Sequence, residues 1–274
     1  MARSFLCRSV GVLQLLRTQT PLSGTRCYSH TEPEPLTLRQ QHNGIRRIIL
    51  NDPKKRNALS LAMLESLREN LLTDADSDDL RVVIISARGP VFSSGHDLKE
   101  LTSAQGREYH TRVFHTCSEV MTLIQDIPVP VIAMVNGVAT AAVVSWSPAV
   151  MLPWRRSSPL SPPRGVNVGL FCSTPAVAIG RAVPRKVAME MLLTGSPLSA
   201  HNALLHGLIS ESPGRRPREG HVPETNVSGS RRAYATASRV MVDNLALRDG
   251  QEGIRAFIEK RKPVWSNKAE KAQD

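Results

Sequence analysis

Two short uncharged runs, Val82-Val83-Ile84-Ile85 and Pro130-Val131-Ile132-Ala133-Met134-Val135, flank a stretch in which Val113, Cys117, Val120, Met121 and Ile124 recur at helical spacing. A continuous apolar run bounded by polar residues is what a strand covered on both faces requires, whereas the recurring spacing keeps one face of a helix apolar. Buried strands alternating with amphipathic helices predict a layered α/β domain. A chain of 274 residues is long enough for one such domain with a sizeable core.

The alternation extends in both directions. Residues 44–50 (GIRRIIL) read as a strand ended by Asn51-Asp52-Pro53. Ser60 is placed to cap a helix carrying Leu61, Leu64, Leu67, Leu71 and Leu72 on one face, closed by the acidic turn 74–79. Gly89-Pro90 ends the first buried strand, and a loop over 92–96 leads into polar, helix-compatible sequence. Beyond Asn136-Gly137, Thr174-Pro175 reads as a cap followed by proline in the first helical turn, with helical sequence continuing through 188–193. Gly195-Ser196-Pro197 is a turn, and Ser199 caps a further helix reaching Leu205. Val240, Leu245, Leu247, Ile254, Phe257 and Ile258 predict a helical region over 239–274.

Two segments interrupt this order. Residues 143–165 hold five prolines, five serines, three arginines and no acid, and no helical or strand period survives there. Residues 210–232 are rich in Pro, Gly and Arg, and regular sequence resumes only near Arg239, so 210–238 is expected to be an irregular basic segment.

The first thirty residues contain Arg3, Arg8, Arg17 and Arg26 and no acidic residue, with Ser, Thr and apolar residues spread between them. That composition predicts a mitochondrial transit peptide, cleaved after Tyr28, and hence an address in the matrix. Cys117 and Cys172 are the two cysteines beyond it, too few and too far apart for a disulfide framework or a zinc site. The formal charge of +11 divides unevenly: four units lie in the leader, three in 143–165 and a net two in 210–232, leaving +2 for the rest. Basicity is therefore no sign of a nucleic-acid partner. No apolar run is long enough for a membrane span.

The chemistry is expected in the loop Val91-Phe92-Ser93-Ser94-Gly95-His96-Asp97-Leu98-Lys99-Glu100-Leu101. A glycine between a buried strand and a helix start lets backbone N–H groups face a polarised oxygen. This loop resembles the first oxyanion-loop signature of the enoyl-CoA hydratase/isomerase (crotonase) superfamily: Phe, any residue, Ala or Ser, Gly, any residue, Asp, Ile or Leu, Lys, Glu. Leu50-Asn51-Asp52-Pro53 with Asn57-Ala58-Leu59-Ser60, residues 128–137, Leu193-Thr194-Gly195 with 200–208, and 249–263 are similar to the same family in the same order.

The resemblance implies an α/β spiral of repeated ββα units, residues 36–209 forming the core, with carboxy-terminal helices that assemble trimers or hexamers. It also implies acyl-CoA as ligand, coenzyme A arriving as part of the substrate, with no metal and no other cofactor. Members hold the thioester carbonyl between two backbone N–H groups. By position these fall on His96 and Ala142, while Asp97, Leu98 and Lys99 line the CoA path. Arg56 and Lys99 are candidates for the CoA phosphates, solvated surface cations being the alternative. The His96 imidazole is a candidate general base near neutral pH, although the family uses this position through its backbone. Asp97 and Glu100 suit a structural role at a helix start.

Hydratases of the family use two glutamates, and by register those positions fall on Ser145 and Gly165, neither of which transfers a proton as a carboxylate does. Because 143–165 has the family's length but foreign content, it reads as a segment translated out of frame. The expectation is a mitochondrial acyl-CoA-binding protein of fatty-acid metabolism whose hydratase or isomerase (lyase-class) activity is in question. The alternatives are a non-catalytic acyl-CoA-binding regulator of lipid metabolism and an RNA-binding protein of the same fold.

Overall fold

The computed structural model describes residues 34–140, 150–151, 168–210 and 227–272. The expected transit peptide over 1–28, Ala142, Ser145, Gly165 and most of both irregular segments lie outside the described residues. Those from Pro35 onward belong to one unit.

The chain first forms a hairpin of β1 (Thr37–His42) and β2 (Ile45–Leu50), antiparallel from Thr37↔Leu50 to His42↔Ile45. Only β2 was expected, because β1 is a sheet-edge strand of mostly exposed polar residues and carries little apolar alternation. Helix α1 (Leu61–Leu72) follows, its Ser60 hydroxyl accepting from Met63 N–H at 3.2 Å as the capping pattern predicts. Strand β3 (Val82–Ala87) lies parallel to β2 and β5 (Val131–Ala133) parallel to β3, with α2 (Gly106–Asp126) between them in sequence.

After β3 and after β5 the chain passes into a second sheet, in which β4 (Val91–Ser93) pairs in parallel with β6 (Val138–Ala139). The turns β3–β4 and β5–β6 thus each supply one strand to the large sheet and one to the small one, whereas β1 and β2 both belong to the large sheet. This is the repeated ββα arrangement. The last strand of the large sheet, β7 (Val150–Met151), pairs in parallel with β5 and completes the order β1-β2-β3-β5-β7. It falls inside 143–165, where no strand was expected. The two residues lie between the prolines that erase any longer period, and pairing with an exposed edge of β5 requires none.

Helices α3 (Ser173–Ala182), α4 (Arg185–Thr194) and α5 (Ala200–Leu205) come next, then α6 (Val227–Leu245) and α7 (Arg248–Glu259). The continuous helix expected from Thr174 through 193 is divided at Val183-Pro184, where proline cannot continue the hydrogen-bond ladder. Helix α6 starts at Val227, well ahead of Arg239 where periodicity resumes, so the irregular reading of 227–238 is corrected. That first part of α6 is held by contacts remote in sequence. The Ser238 hydroxyl donates to the Phe114 carbonyl of α2 at 3.1 Å, and Arg231 pairs with Asp126.

One core lies between the large sheet and the helices, with Ile48, Leu50, Leu64, Val83, Ile85 and Val120 among its fully buried members. A second, smaller one joins Leu101, Phe114, Val168, Leu170, Met241 and Ile254. Arg46 on β2 is also fully buried. Its guanidinium donates to Gln41 Oε1 at 2.9 Å, the Leu71 carbonyl at 3.4 Å and the Asp74 carbonyl at 3.2 Å, so it satisfies the carboxy-terminal end of α1. Desolvation lowers its pKa, with the Arg39 charge adding to the effect. No helix among the described residues is long and apolar enough to cross a membrane.

Candidate functional site

The site grows from the loop that leaves β2. Asp52 caps a short 3-10 turn, Pro53–Lys55, by accepting from Lys55 N–H at 3.1 Å, and Arg56 and Asn57 then take positive φ angles of 56° and 51°. Asn57 is fully buried and joins three points. Its Oδ1 accepts from Asp52 N–H at 2.9 Å, and its Nδ2 donates to the carbonyls of Arg88 at 2.9 Å and Val91 at 2.8 Å. The segment therefore presents its backbone to the loop after β4: Ser94 N–H donates to the Arg56 carbonyl at 3.0 Å and Leu59 N–H to the Gly95 carbonyl at 2.8 Å.

Gly95 adopts φ +83°, and a β-carbon there would stand 2.9 Å from Thr140 Oγ1. Thr140 follows β6 and donates its N–H to the Ser93 carbonyl at 3.1 Å, which locks the two-stranded sheet beneath the loop. The turn at Gly95 brings His96 to the cavity, with its backbone N–H unpartnered among the described residues. Asp97 is engaged locally, accepting from Lys99 N–H at 3.1 Å to start the 3-10 turn Leu98–Leu101. Glu100 accepts from Leu61 N–H at 2.8 Å and so ties this turn to the start of α1.

The loop borders a cavity of about 470 Å³. Arg56, His96, Asp97, Leu98 and Lys99 all line it, so the structure brings together every candidate residue within its described part. Lys54, Lys55, Arg56 and Lys99 form an exposed cationic portion of the lining. Leu98, Leu101, Phe114, Val168, Leu170 and Met241 supply the apolar wall.

The His96 ring packs edge-on against Phe114, centroids 5.0 Å apart. Desolvation pulls its pKa down to about 4, against a weaker opposing effect of the Leu59 backbone. The imidazole is therefore neutral at physiological pH and a weak base there, which argues against the general-base role considered from sequence. Its Nδ1 is buried without a hydrogen-bond partner.

Opposite in sequence stands the start of α3. Its cap residue is Cys172, which makes no side-chain cap bond, rather than Thr174 as expected. Thr174 lies inside the first turn, 2 % exposed, with Oγ1 buried and unpartnered, and it lines the same cavity with Cys172 and Pro175. Sequence reasoning missed this hydroxyl because Thr before Pro is a capping signal, and a cap would have spent it on the helix backbone. It also missed Asn57 as the joint of the loop, although Asn57-Ala58-Leu59 is part of the family resemblance.

Paired ββα turns in two sheets, with a glycine-shaped loop bordering a cavity that has an apolar wall and a cationic rim, define the class. The family model for enoyl-CoA hydratase/isomerase matches residues 40–216, and the chain belongs to that family. It is 58% identical over 283 residues to enoyl-CoA hydratase domain-containing protein 3, mitochondrial, of Danio rerio, a match covering 94% of this chain and 96% of that protein. The crystal structure of the human protein of that designation superposes with TM-score 0.63 at 53% identity, covering 84% of this chain and all of the other. That of an enoyl-CoA hydratase from Mycobacterium smegmatis gives TM-score 0.62 at 37% identity over 85% of this chain and 99% of the other.

Proposed function

We propose that this chain binds acyl-CoA thioesters, in the mitochondrial matrix and in fatty-acid metabolism. The observation that carries the reading is one cavity whose lining combines His96, with its N–H unpartnered among the described residues, an apolar wall and four exposed cations. A backbone donor suits the thioester oxygen, the apolar wall suits an acyl chain, and Lys54, Lys55, Arg56 and Lys99 suit the CoA phosphates. The second oxyanion donor falls on Ala142 by family register, and the family's mode of assembly suggests a homotrimer or hexamer. The address rests on the leader composition and on relatives whose names describe them as mitochondrial.

Binding without hydration is the form of this function that the lining favours. Asp97 is the one carboxylate among the described lining residues, and its oxygen is engaged by Lys99 N–H. Paired-acid addition of water needs a second proton-transferring group. Isothermal titration with acyl-CoAs tests binding, and saturable heat is expected. Absence of binding by the folded protein sinks the function, whereas rapid hydration of an enoyl-CoA in a turnover assay sinks the non-hydrating form.

A further inference from the structure

The lining of the cavity holds a nucleophile that acyl-CoA binding does not use. Cys172 is half-buried, lines the cavity with His96 and Thr174, and is not in a disulfide. It is the cap residue of α3 and makes no side-chain cap bond. Cys117, the other described cysteine, lies in the main core, where desolvation pushes its thiol up to about 12. The two thiols therefore differ in kind. Cys117 stays protonated and out of reach, whereas Cys172 stands at the cavity, at the end of a helix whose dipole favours an anion. A second observation points to a ligand beside it. Thr174, two residues further on, is 2 % exposed, and its Oγ1 is buried without a hydrogen-bond partner. His96 Nδ1, on the loop after β4, is in the same condition. Buried polar atoms are rarely left unpaired, so two of them on residues lining one cavity indicate partners brought by a bound molecule.

We infer that Cys172 is a site of acyl modification, at which the thiol takes the acyl group from bound acyl-CoA and CoA is released. The inference rests on the acyl-CoA reading given above. Sγ of Cys172 attacks the thioester carbonyl carbon and forms a C–S bond, while an electron pair moves to the oxygen, to which the His96 N–H donates. Collapse of this adduct breaks the bond to the sulfur of CoA, and CoA leaves with the proton that the cysteine gave up. One thioester replaces another, and nothing is oxidised or reduced. Asp97, the one carboxylate of the described lining, is engaged by Lys99 N–H, and the His96 imidazole is a weak base. No acid–base group of the described lining is thus placed to activate water against the new thioester, and the acyl group stays on sulfur.

The test incubates the full chain with hexanoyl-CoA at neutral pH and follows the protein by mass spectrometry. A hexanoyl adduct that neutral hydroxylamine removes is expected, located at Cys172 by peptide mapping. Its rate of formation is expected to saturate with hexanoyl-CoA at the Kd found by titration. S-hexyl-CoA, a thioether that occupies the site and cannot transfer, is expected to slow it about tenfold when present at about ten times its own Kd. Cys172→Ser is expected to lose the hydroxylamine-sensitive adduct. Binding of hexanoyl-CoA with Cys172 unmodified overturns the inference and leaves acyl-CoA binding intact. So does modification that rises linearly with concentration, ignores the thioether and falls equally on the leader cysteines Cys7 and Cys27. Neither binding nor adduct overturns both. Should Cys172→Ser fail to fold, the saturation and the thioether protection measured on the unsubstituted protein decide alone.

Discussion

Two walls meet at the cavity and are held in opposite ways. The wall made by residues 52–60 and 91–100 is closely cross-linked by internal bonds: Asn57 makes three, the Gly95 carbonyl and Ser94 N–H are taken, and Glu100 is tied to α1. The wall made by 168–175 has a helix start without a side-chain cap bond and a buried hydroxyl with no partner. The first wall is thereby held rigid, although His96 Nδ1 on it has no partner among the described residues.

The largest effect expected from that contrast is at Gly137, which underlies the cross-linked wall. A β-carbon there would lie 2.0 Å from the Pro90 carbonyl oxygen, and the residue has φ +91°. Gly137→Ala is expected to cost more than about 4 kcal/mol, seen as loss of cooperative unfolding, since both the backbone contact and the positive φ oppose the substitution. Asn57→Ala comes next. It strands the Asp52 N–H and the Arg88 and Val91 carbonyls, and a loss of about 3 kcal/mol in urea unfolding is expected together with weaker acyl-CoA binding.

The third test is acid. The folded pKa of His96, about 4, lies below its ordinary value of 6.5, so between these limits the unfolded chain binds the proton first. Its contribution is complete above pH 6.5 and is lost as pH falls toward 4, amounting to about 3 kcal/mol. Comparing urea midpoints of the protein with those of His96→Gln across that window isolates the effect, because other groups titrate alike in both. A parallel pH dependence in the two proteins would break the assignment.

The smallest effect separates the walls most clearly. Thr174→Val replaces an unpartnered buried hydroxyl by a methyl group of similar size, and a change within about 1 kcal/mol, neutral or stabilising, is expected in thermal unfolding. A large loss would mean that Thr174 has a structural partner and that the second wall is as closely cross-linked as the first.

How much was legible in sequence follows the range of the interactions. The strands at 45–50, 82–87 and 131–133 and the caps at Ser60 and Ser199 were visible because hydrophobic period and capping act over a few residues. Short strands such as β4, β6 and β7 were not, since two or three residues carry no period and exist only where a neighbouring edge accepts them. The start of α6 was hidden for the same reason, its Arg231 and Ser238 being satisfied by Asp126 and Phe114. In the site, residues 95–99 stood out as one contiguous motif, whereas Thr174 was misread because its local signal is that of a cap.

The sequence by itself determined the layered α/β class, the family and the first half of the site, because these reside in contiguous residues whose local pattern survives without knowledge of the rest. Only the tertiary structure decided what faces that half. Gln251 illustrates the reason: its amide accepts from Ser103 N–H at 2.7 Å and donates to the Leu101 and Leu245 carbonyls, joining α7 and the end of α6 to the turn behind the loop at 94–97. The burial that lowers the His96 pKa and leaves Thr174 without a partner arises from such contacts between segments far apart in the chain, and no local pattern encodes them.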